Sequence, residues 1–282
     1  MKETAISACY VSPSLNNEQF VPEHCFMYLI SGSMLAYDGN KEYKIKPGDF
    51  GIARRNHLTK YTKQPDNGEF KKIYILFEQD FLREFNEKYQ FKVENEKPTN
   101  GIIALSKNEL TKNFIQSLIP YFNEKGTIDE QFLNVKRSEL LLVLLKANPE
   151  LANILFDFSN PEKIDLEAFM IRNFKFNVSI ERFAYLTGRS LSAFKRDFEK
   201  TFNATPSHWL VQKRLEEAYH LIDKKNRDHL TFISIWALRI FLIFHSLSKN
   251  CSDIRQRDLL KEKRMKNKQS LYCFFFLLFM SV

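Results

Sequence analysis

Short apolar runs separated by turns dominate residues 24–80 of this 282-residue chain. The clearest turn is Asp38-Gly39-Asn40, because Asp-Gly between two apolar runs is typical of a tight hairpin. The pattern predicts strands over residues 26–30, 34–37, 42–45, 50–53 and 73–77. Several short strands with regular turns predict a small β-barrel or sandwich.

The apolar spacing changes to three and four residues after about Asp80, which is typical of helices. The segment Phe132–Asn148 is apolar on most of its surface, so it must be buried against something. Its partner is either the chain's own sheet domain or a second copy in a homodimer, and the pattern leaves both open. We therefore expect an α+β fold, with a β domain over residues 1–100 and a helical hairpin over residues 101–160.

Residues 161–227 predict a helix-turn-helix. Ser179 and Ser190 are suitable N-caps for two successive helices, and Gly188 suits the left-handed turn between them. The second helix buries one face, formed by Leu191, Phe194, Phe198 and Phe202. Its opposite face is basic, which fits either a DNA-reading helix or the solvated surface of an ordinary helical domain.

The positive charge lies in the second half of the chain, which is compatible with both interpretations. The formal net charge is +8, yet residues 1–160 hold 20 basic and 21 acidic side chains. Residues 161–227 hold 13 basic and 9 acidic side chains, and residues 228–282 hold 9 and 4. Lys195 and Arg196 on the second helix suit contacts to guanine edges. The residues that suit phosphate contacts are Arg189, Lys200, Lys213 and Arg214.

The segment from Ser179 to Ser207, which contains Gly188-Arg-Ser-Leu-Ser-Ala-Phe-Lys-Arg-Asp-Phe198, resembles the first helix-turn-helix of AraC-type transcription regulators. Trp209–Ala218 resembles the long connecting helix of that family. The start of the chain, with Tyr37-Asp-Gly and Lys46-Pro-Gly-Asp, is similar to its cupin-type sensory barrel. The resemblance implies base contact by Ser192 as well as by Lys195 and Arg196.

The same resemblance implies a cytoplasmic regulator that binds double-stranded DNA, forms a homodimer and responds to a small-molecule effector. Polar side chains of the predicted barrel that could line an effector pocket are Tyr28, Tyr37, Tyr43 and His57, with Arg54 and Tyr61 as further candidates. The alternative function is a cupin-type ligand-binding or dimerisation module without independent DNA binding.

Residues 228–282 depart from the family pattern, because the expected second helix-turn-helix is absent. A reading frame that joins the last base of each codon to the first two bases of the next permits it: Trp236-Ala237 then encodes glycine, and Asn250-Cys251 encodes leucine. From His229 to Gln256 the shifted frame permits a string that contains Gly-Phe, Phe-Lys-Lys and Gly-Tyr-Ser-Pro. We therefore interpret residues after about 228 as an aberrant, out-of-frame tail that disrupts the second unit.

The tail's apolar runs, 232–247 and 271–280, contain 16 and ten residues. Both are shorter than the roughly 20 residues of a membrane helix, so we expect no membrane association. The four cysteines lie far apart, and His24 and His57 lack metal-ligand spacing. We expect no metal, no cofactor and no enzymatic activity.

Overall fold

The structure is a computed structural model that describes residues 6–10, 18–94 and 100–225, with side chains for residues 20–94 and 100–217. Residues 228–282, including the proposed out-of-frame tail, lie outside this description. The chain divides into two compact units after Leu215, and everything described below belongs to the first unit except the end of the last helix. Among the described residues no helix combines the length and the apolar content needed to cross a bilayer.

Within these ranges nine strands form two antiparallel sheets. They are β1 Ile6–Tyr10, β2 Glu18–Val21, β3 His24–Ser31, β4 Ser33–Tyr37, β5 Glu42–Ile45, β6 Phe50–Ala53, β7 His57–Gln64, β8 Lys71–Phe77 and β9 Ile102–Ala104. Sheet A has the order β1-β8-β3-β6-β9, and sheet B has the order β2-β7-β4-β5. All five predicted strands are present. Of the predicted barrel or sandwich, a closed barrel is not found, because no ladder joins the edge strands of one sheet to those of the other in the part of the chain that the structure describes.

The same ranges contain eight α-helices, which follow or interrupt the strands. They are α1 Gln79–Tyr89, α2 Glu109–Leu118, α3 Glu130–Ala147, α4 Ala152–Leu155, α5 Leu166–Asn173, α6 Ile180–Leu186, α7 Leu191–Phe202 and α8 Pro206–Lys225. Strand β9 pairs with β6, so the sheet domain extends past the predicted boundary at residue 100 into the range expected to be a helical hairpin.

Helix α3 packs on the chain's own sheet. Leu140, Leu141 and Leu144 are fully buried in one cluster with Phe26 and Ile75 of sheet A. The opposite face of α3 exposes apolar side chains, with Val135 63% exposed and Phe132 and Leu142 partly exposed. Docking on the sheet is therefore confirmed, while the helix still presents an apolar stripe that the sheet does not cover.

Each sheet buries its outer face against a different set of helices. Sheet A packs against α1 to α4, whereas sheet B places Leu58, Phe20 and Tyr37 in the apolar cluster that contains α5 to α8. Between the sheets, Met27 and Met34 pack with Phe70 and Tyr61. The alternation of strand side chains explains this arrangement, since successive residues point to opposite faces.

Candidate DNA-binding interface

The first helix of the candidate interface, α6, begins and ends as the sequence predicts. The Ser179 hydroxyl accepts a hydrogen bond from the Arg182 amide at 3.2 Å, so it caps the first turn. Gly188 has a φ of +64°. The amides of Gly188 and Arg189 donate to the carbonyls of Tyr185 and Ala184, both at 3.0 Å, which is the Schellman arrangement.

The second helix, α7, is held with its basic face outward. Ser190 caps it by accepting a hydrogen bond from the Ala193 amide at 3.3 Å. Phe194 and Phe198 are fully buried, and Trp209 of α8 meets Phe198 edge-on with 5.6 Å between ring centroids. This aromatic packing fixes the rotational orientation of α7 about its helix axis. It therefore decides which side chains of α7 face solvent.

The three predicted base-contacting residues lie together on that solvent face. Ser192, Lys195 and Arg196 are all exposed, and the side chain of Arg196 is 78% exposed. The Arg196 guanidinium lies 3.5 Å from the Asp197 carboxylate. An exposed ion pair of this kind contributes little to stability, so Arg196 can still bind other partners. Lys200 is exposed one turn further along α7, and Lys213 of α8 is half-buried.

Arg189 does not face solvent as a phosphate contact requires. Its side chain is 8% exposed, and its Nε donates to Asp197 at 3.1 Å. One Nη donates to the carbonyls of Ile164 and Thr187 at 2.9 and 2.8 Å. The hydrogen bond from Arg189 lowers the pKa of the Asp197 carboxyl below its ordinary value. The prediction for Arg189 is therefore corrected: the residue joins the helix-turn-helix to the segment that precedes α5.

Arg214 is also occupied within the domain. Its Nε and Nη2 donate to the carbonyls of Phe174 and Phe176 at 2.8 and 2.7 Å, which lie after the end of α5. Orphan carbonyls at a helix end need such donors. The predicted phosphate contact is corrected for this residue too. The spacing of positive charge in a sequence does not distinguish these internal arginines from those that face solvent.

The four predicted effector-pocket residues do not line one pocket. Tyr28 stacks on Phe50 at 6.4 Å on the helix-covered face of sheet A, whereas Tyr37 stacks on Phe176 at 5.7 Å on the outer face of sheet B. Tyr43 and His57 share the inner face of sheet B with Tyr61, as the strand register shows. The prediction is therefore wrong for Tyr28 and Tyr37 as members of a single pocket.

Two polar groups on or beside the inner face of sheet B are tied down by hydrogen bonds. The Tyr43 hydroxyl donates to Asp38 Oδ2 at 2.9 Å, and His57 Nδ1 lies 2.8 Å from the Arg55 carbonyl oxygen. Burial lowers the pKa of His57, which favours its neutral form. The described residues contain no group of three or more His, Cys, Asp or Glu side chains placed to hold a metal ion.

Comparison with known proteins finds two matches to the regulator ExsA. Residues 24–154 match the family model for the ExsA N-terminal regulatory domain. The chain is 22% identical over 198 residues to the HTH-type transcriptional regulator ExsA of Pseudomonas aeruginosa, which covers 69% of this chain and 70% of that protein.

Solved structures of ToxT from Vibrio cholerae are similar at 13–14% identity. An apo variant gives a TM-score of 0.41, covering 74% of this chain and 98% of ToxT. A second ToxT structure, bound to (E)-4-(8-methylnaphthalen-1-yl)but-3-enoic acid, gives a TM-score of 0.36 and covers 73% and 97%. The family model and the ExsA relative support the predicted AraC-type transcription regulator with an N-terminal regulatory domain.

Proposed function

We propose that this chain binds specific double-stranded DNA by placing α7 in the major groove, and that its sheet domain regulates this binding. The observation that carries the proposal is the exposed, rigidly oriented set of Ser192, Lys195 and Arg196 on a capped helix of a helix-turn-helix. Early residues of the second helix contact base edges in this class of domain. Lys200 and Lys213 supply phosphate contacts, whereas Arg189 and Arg214 hold the domain together.

We further propose that the chain as given binds its operator weakly. The described residues contain one helix-turn-helix, and the predicted second one falls in the segment interpreted as out of frame. Resequencing the 3′ end of the gene tests the frameshift directly. A gene in which no one-base change restores the second unit would overturn it.

The test of DNA binding is selection from a random duplex library, followed by fluorescence anisotropy on the enriched sequence. The frame-restored chain serves as the comparator. Arg196→Ala should lower specific affinity about 5- to 150-fold, since a good bidentate base contact contributes about 1–3 kcal/mol. Binding to unrelated DNA should change little. Lys46→Ala removes the same charge from an exposed turn of the sheet domain and serves as the matched control.

Failure of both chains to enrich any sequence would contradict the proposal. It would favour the alternative function, a ligand-binding or dimerisation module without its own DNA binding. An enzymatic role is not proposed, since the ExsA relative is a transcription regulator. We expect the chain to act in the cytoplasm, where its DNA target is accessible.

The exposed stripe of α3 supports self-association as a homodimer. Phe132, Val135 and Leu142 recur on one side of the helix, opposite the leucines that pack on sheet A. A contiguous exposed apolar patch on a soluble domain marks an interaction site. Val135→Glu should shift the chain toward monomer in sedimentation velocity. Ile171→Glu, at a similarly exposed apolar position of α5, should not, and a Val135→Glu protein with unchanged association would refute this surface.

We also propose that a small-molecule effector acts between the two sheets, on the side that Tyr43, His57 and Tyr61 share. Tyrosine and histidine side chains beside an apolar cluster are typical of the few orienting polar groups in ligand sites. His57→Phe should abolish any effector-induced change in DNA affinity without changing the affinity of the free protein. An effector response that persists in this variant would exclude that side of the sheet.

A further inference from the structure

The outer face of sheet B is joined to the DNA-binding helices by a shared apolar core. Leu58 of β7 is only 4% exposed, and it packs in the cluster that contains Phe183 and Phe176. Tyr37, at the end of β4, stacks almost parallel to Phe176, with 5.7 Å between centroids and 10° between planes. This contact therefore belongs to the core of the domain that reads DNA.

The turn that follows Tyr37 packs closely against the end of α5. Gly39 has a φ of +93°, and a Cβ at this position would lie 2.7 Å from Asn173 Oδ1 and 3.5 Å from Phe176. Asn173 is buried and donates through its Nδ2 to the Phe169 carbonyl at 2.9 Å. The tip of the hairpin is thus a close backbone contact with the C-terminal turn of α5.

Asp38 fixes the shape of the same turn and connects it to both sheets. Its Oδ1 accepts hydrogen bonds from the amides of Asn40 and Lys41 at 3.0 and 2.9 Å. Its Oδ2 accepts from the Tyr43 hydroxyl at 2.9 Å and from the Gly101 amide at 3.0 Å. Tyr43 belongs to sheet B, while Gly101 directly precedes β9 of sheet A. One carboxylate therefore links the position of each sheet to the hairpin.

A second contact holds α6 to sheet B. The Arg182 guanidinium lies 3.7 Å from the centroid of the Phe20 ring, and Tyr185 meets that ring edge-on at 6.2 Å. The Tyr185 hydroxyl donates to Asn56 Oδ1 at 3.2 Å. Both helices before α7 thus contact the sheet domain, while Ser192, Lys195 and Arg196 remain exposed.

We propose that the hairpin of residues 37–43 is the coupling element through which the sheet domain sets the position of the helix-turn-helix. A change in the spacing of the two sheets moves the Tyr43 hydroxyl and the Gly101 amide relative to each other. Asp38 is then displaced because it is hydrogen-bonded to both groups. The displacement of Gly39 in turn shifts Asn173, because the two residues are in close contact. The regulatory meaning of this coupling rests on the proposed function. The mechanical coupling does not.

Hydrogen-exchange mass spectrometry on the full chain tests the coupling. Gly39→Ala forces a side chain against Asn173, and it should raise amide exchange across residues 166–176 and 180–186 at least tenfold. Exchange in α2, which packs in the core cluster of sheet A, should stay unchanged and shows that the protein is folded. Gly68→Ala is the matched control, because Gly68 also has a left-handed φ of +81°, yet a Cβ there would meet no described atom within 4 Å.

Asp38→Asn and Tyr185→Phe extend the test if Gly39→Ala fails to fold. Asp38→Asn should loosen both the hairpin and α5, whereas Tyr185→Phe removes one hydroxyl contact and should loosen α6 alone. Faster exchange confined to residues 37–43, with α5 and α6 protected as in the unmodified chain, would overturn the proposal. If exchange changes as expected and no variant binds DNA, the coupling stands and the proposed function fails.

Discussion

The turn between α6 and α7 gives the sharpest prediction for stability. Gly188 occupies the left-handed region, and a Cβ there would overlap the Glu162 carbonyl and lie 2.5 Å from the Lys163 nitrogen. The left-handed conformation costs a residue with a side chain about 1–2 kcal/mol. Overpacking typically adds about 1–3 kcal/mol. We therefore expect Gly188→Ala to lower the free energy of unfolding by about 2–5 kcal/mol.

Urea unfolding measures this loss, with far-UV circular dichroism and Trp209 fluorescence as the two signals. A Trp236→Phe background leaves Trp209 as the only tryptophan. Gly68→Ala shares the left-handed backbone without the overlap, so it should lose only about 1–2 kcal/mol. A loss at Gly188 no greater than the loss at Gly68 would refute the close approach of the turn to the segment before α5.

Three further outcomes follow from the polar contacts. Arg189→Ala should lower the melting temperature because it breaks an ion pair and two carbonyl contacts, whereas Lys200→Ala should keep the melting temperature and weaken DNA binding. Burial lowers the pKa of His24 to about 3. The stability that depends on neutral His24 is therefore fully present above about pH 6.5, and it is lost as the pH drops toward 3. His24→Gln should flatten the pH dependence of the urea midpoint from about pH 6.5 to about pH 4.5, and an unchanged slope would contradict this. Arg55→Lys should speed proteolysis at residues 157–163, since Arg55 holds the carbonyls of that segment, and an unchanged cleavage rate would refute the contact.

Local pattern predicted the elements that carry their own signals. Ser179 and Ser190 cap the two helices as expected, and Gly188 adopts the predicted left-handed turn. The solvent-facing residues of α7 follow from its apolar spacing, because burial of one face decides which residues the other face presents. Strand β7 was not predicted, because polar residues follow one another in its sequence as often as they alternate with apolar residues.

The periodicity of apolar and polar residues did not predict contacts between distant parts of the chain. Tyr37 looks like a pocket residue of the sheet domain, yet it stacks on an aromatic ring 139 positions later in the sequence. The sequence shows that Arg214 is basic but not that two carbonyls at the end of α5 need a donor. Both errors have one cause: a side chain's partner is set by the packing of whole elements, which periodicity does not encode.

The internal arginines also set the expected salt dependence of DNA binding. Without Arg189 and Arg214, the predicted cations left for phosphate contact are Lys200 and Lys213, with Lys195 and Arg196 at the bases. Each neutralised phosphate contributes about −0.9 to the slope of log affinity against log salt. We therefore expect a slope between about −2 and about −4 for the chain as given.

Anisotropy titrations on the selected duplex, from about 50 to about 200 mM potassium chloride, measure this slope. Lys200→Ala should flatten it by about 0.9, while Lys46→Ala should leave it unchanged. A slope steeper than about −6 would require more phosphate contacts than these four cations provide. It would show that residues after 225 also contact DNA phosphates, and it would refute the interpretation of that segment as a non-functional tail.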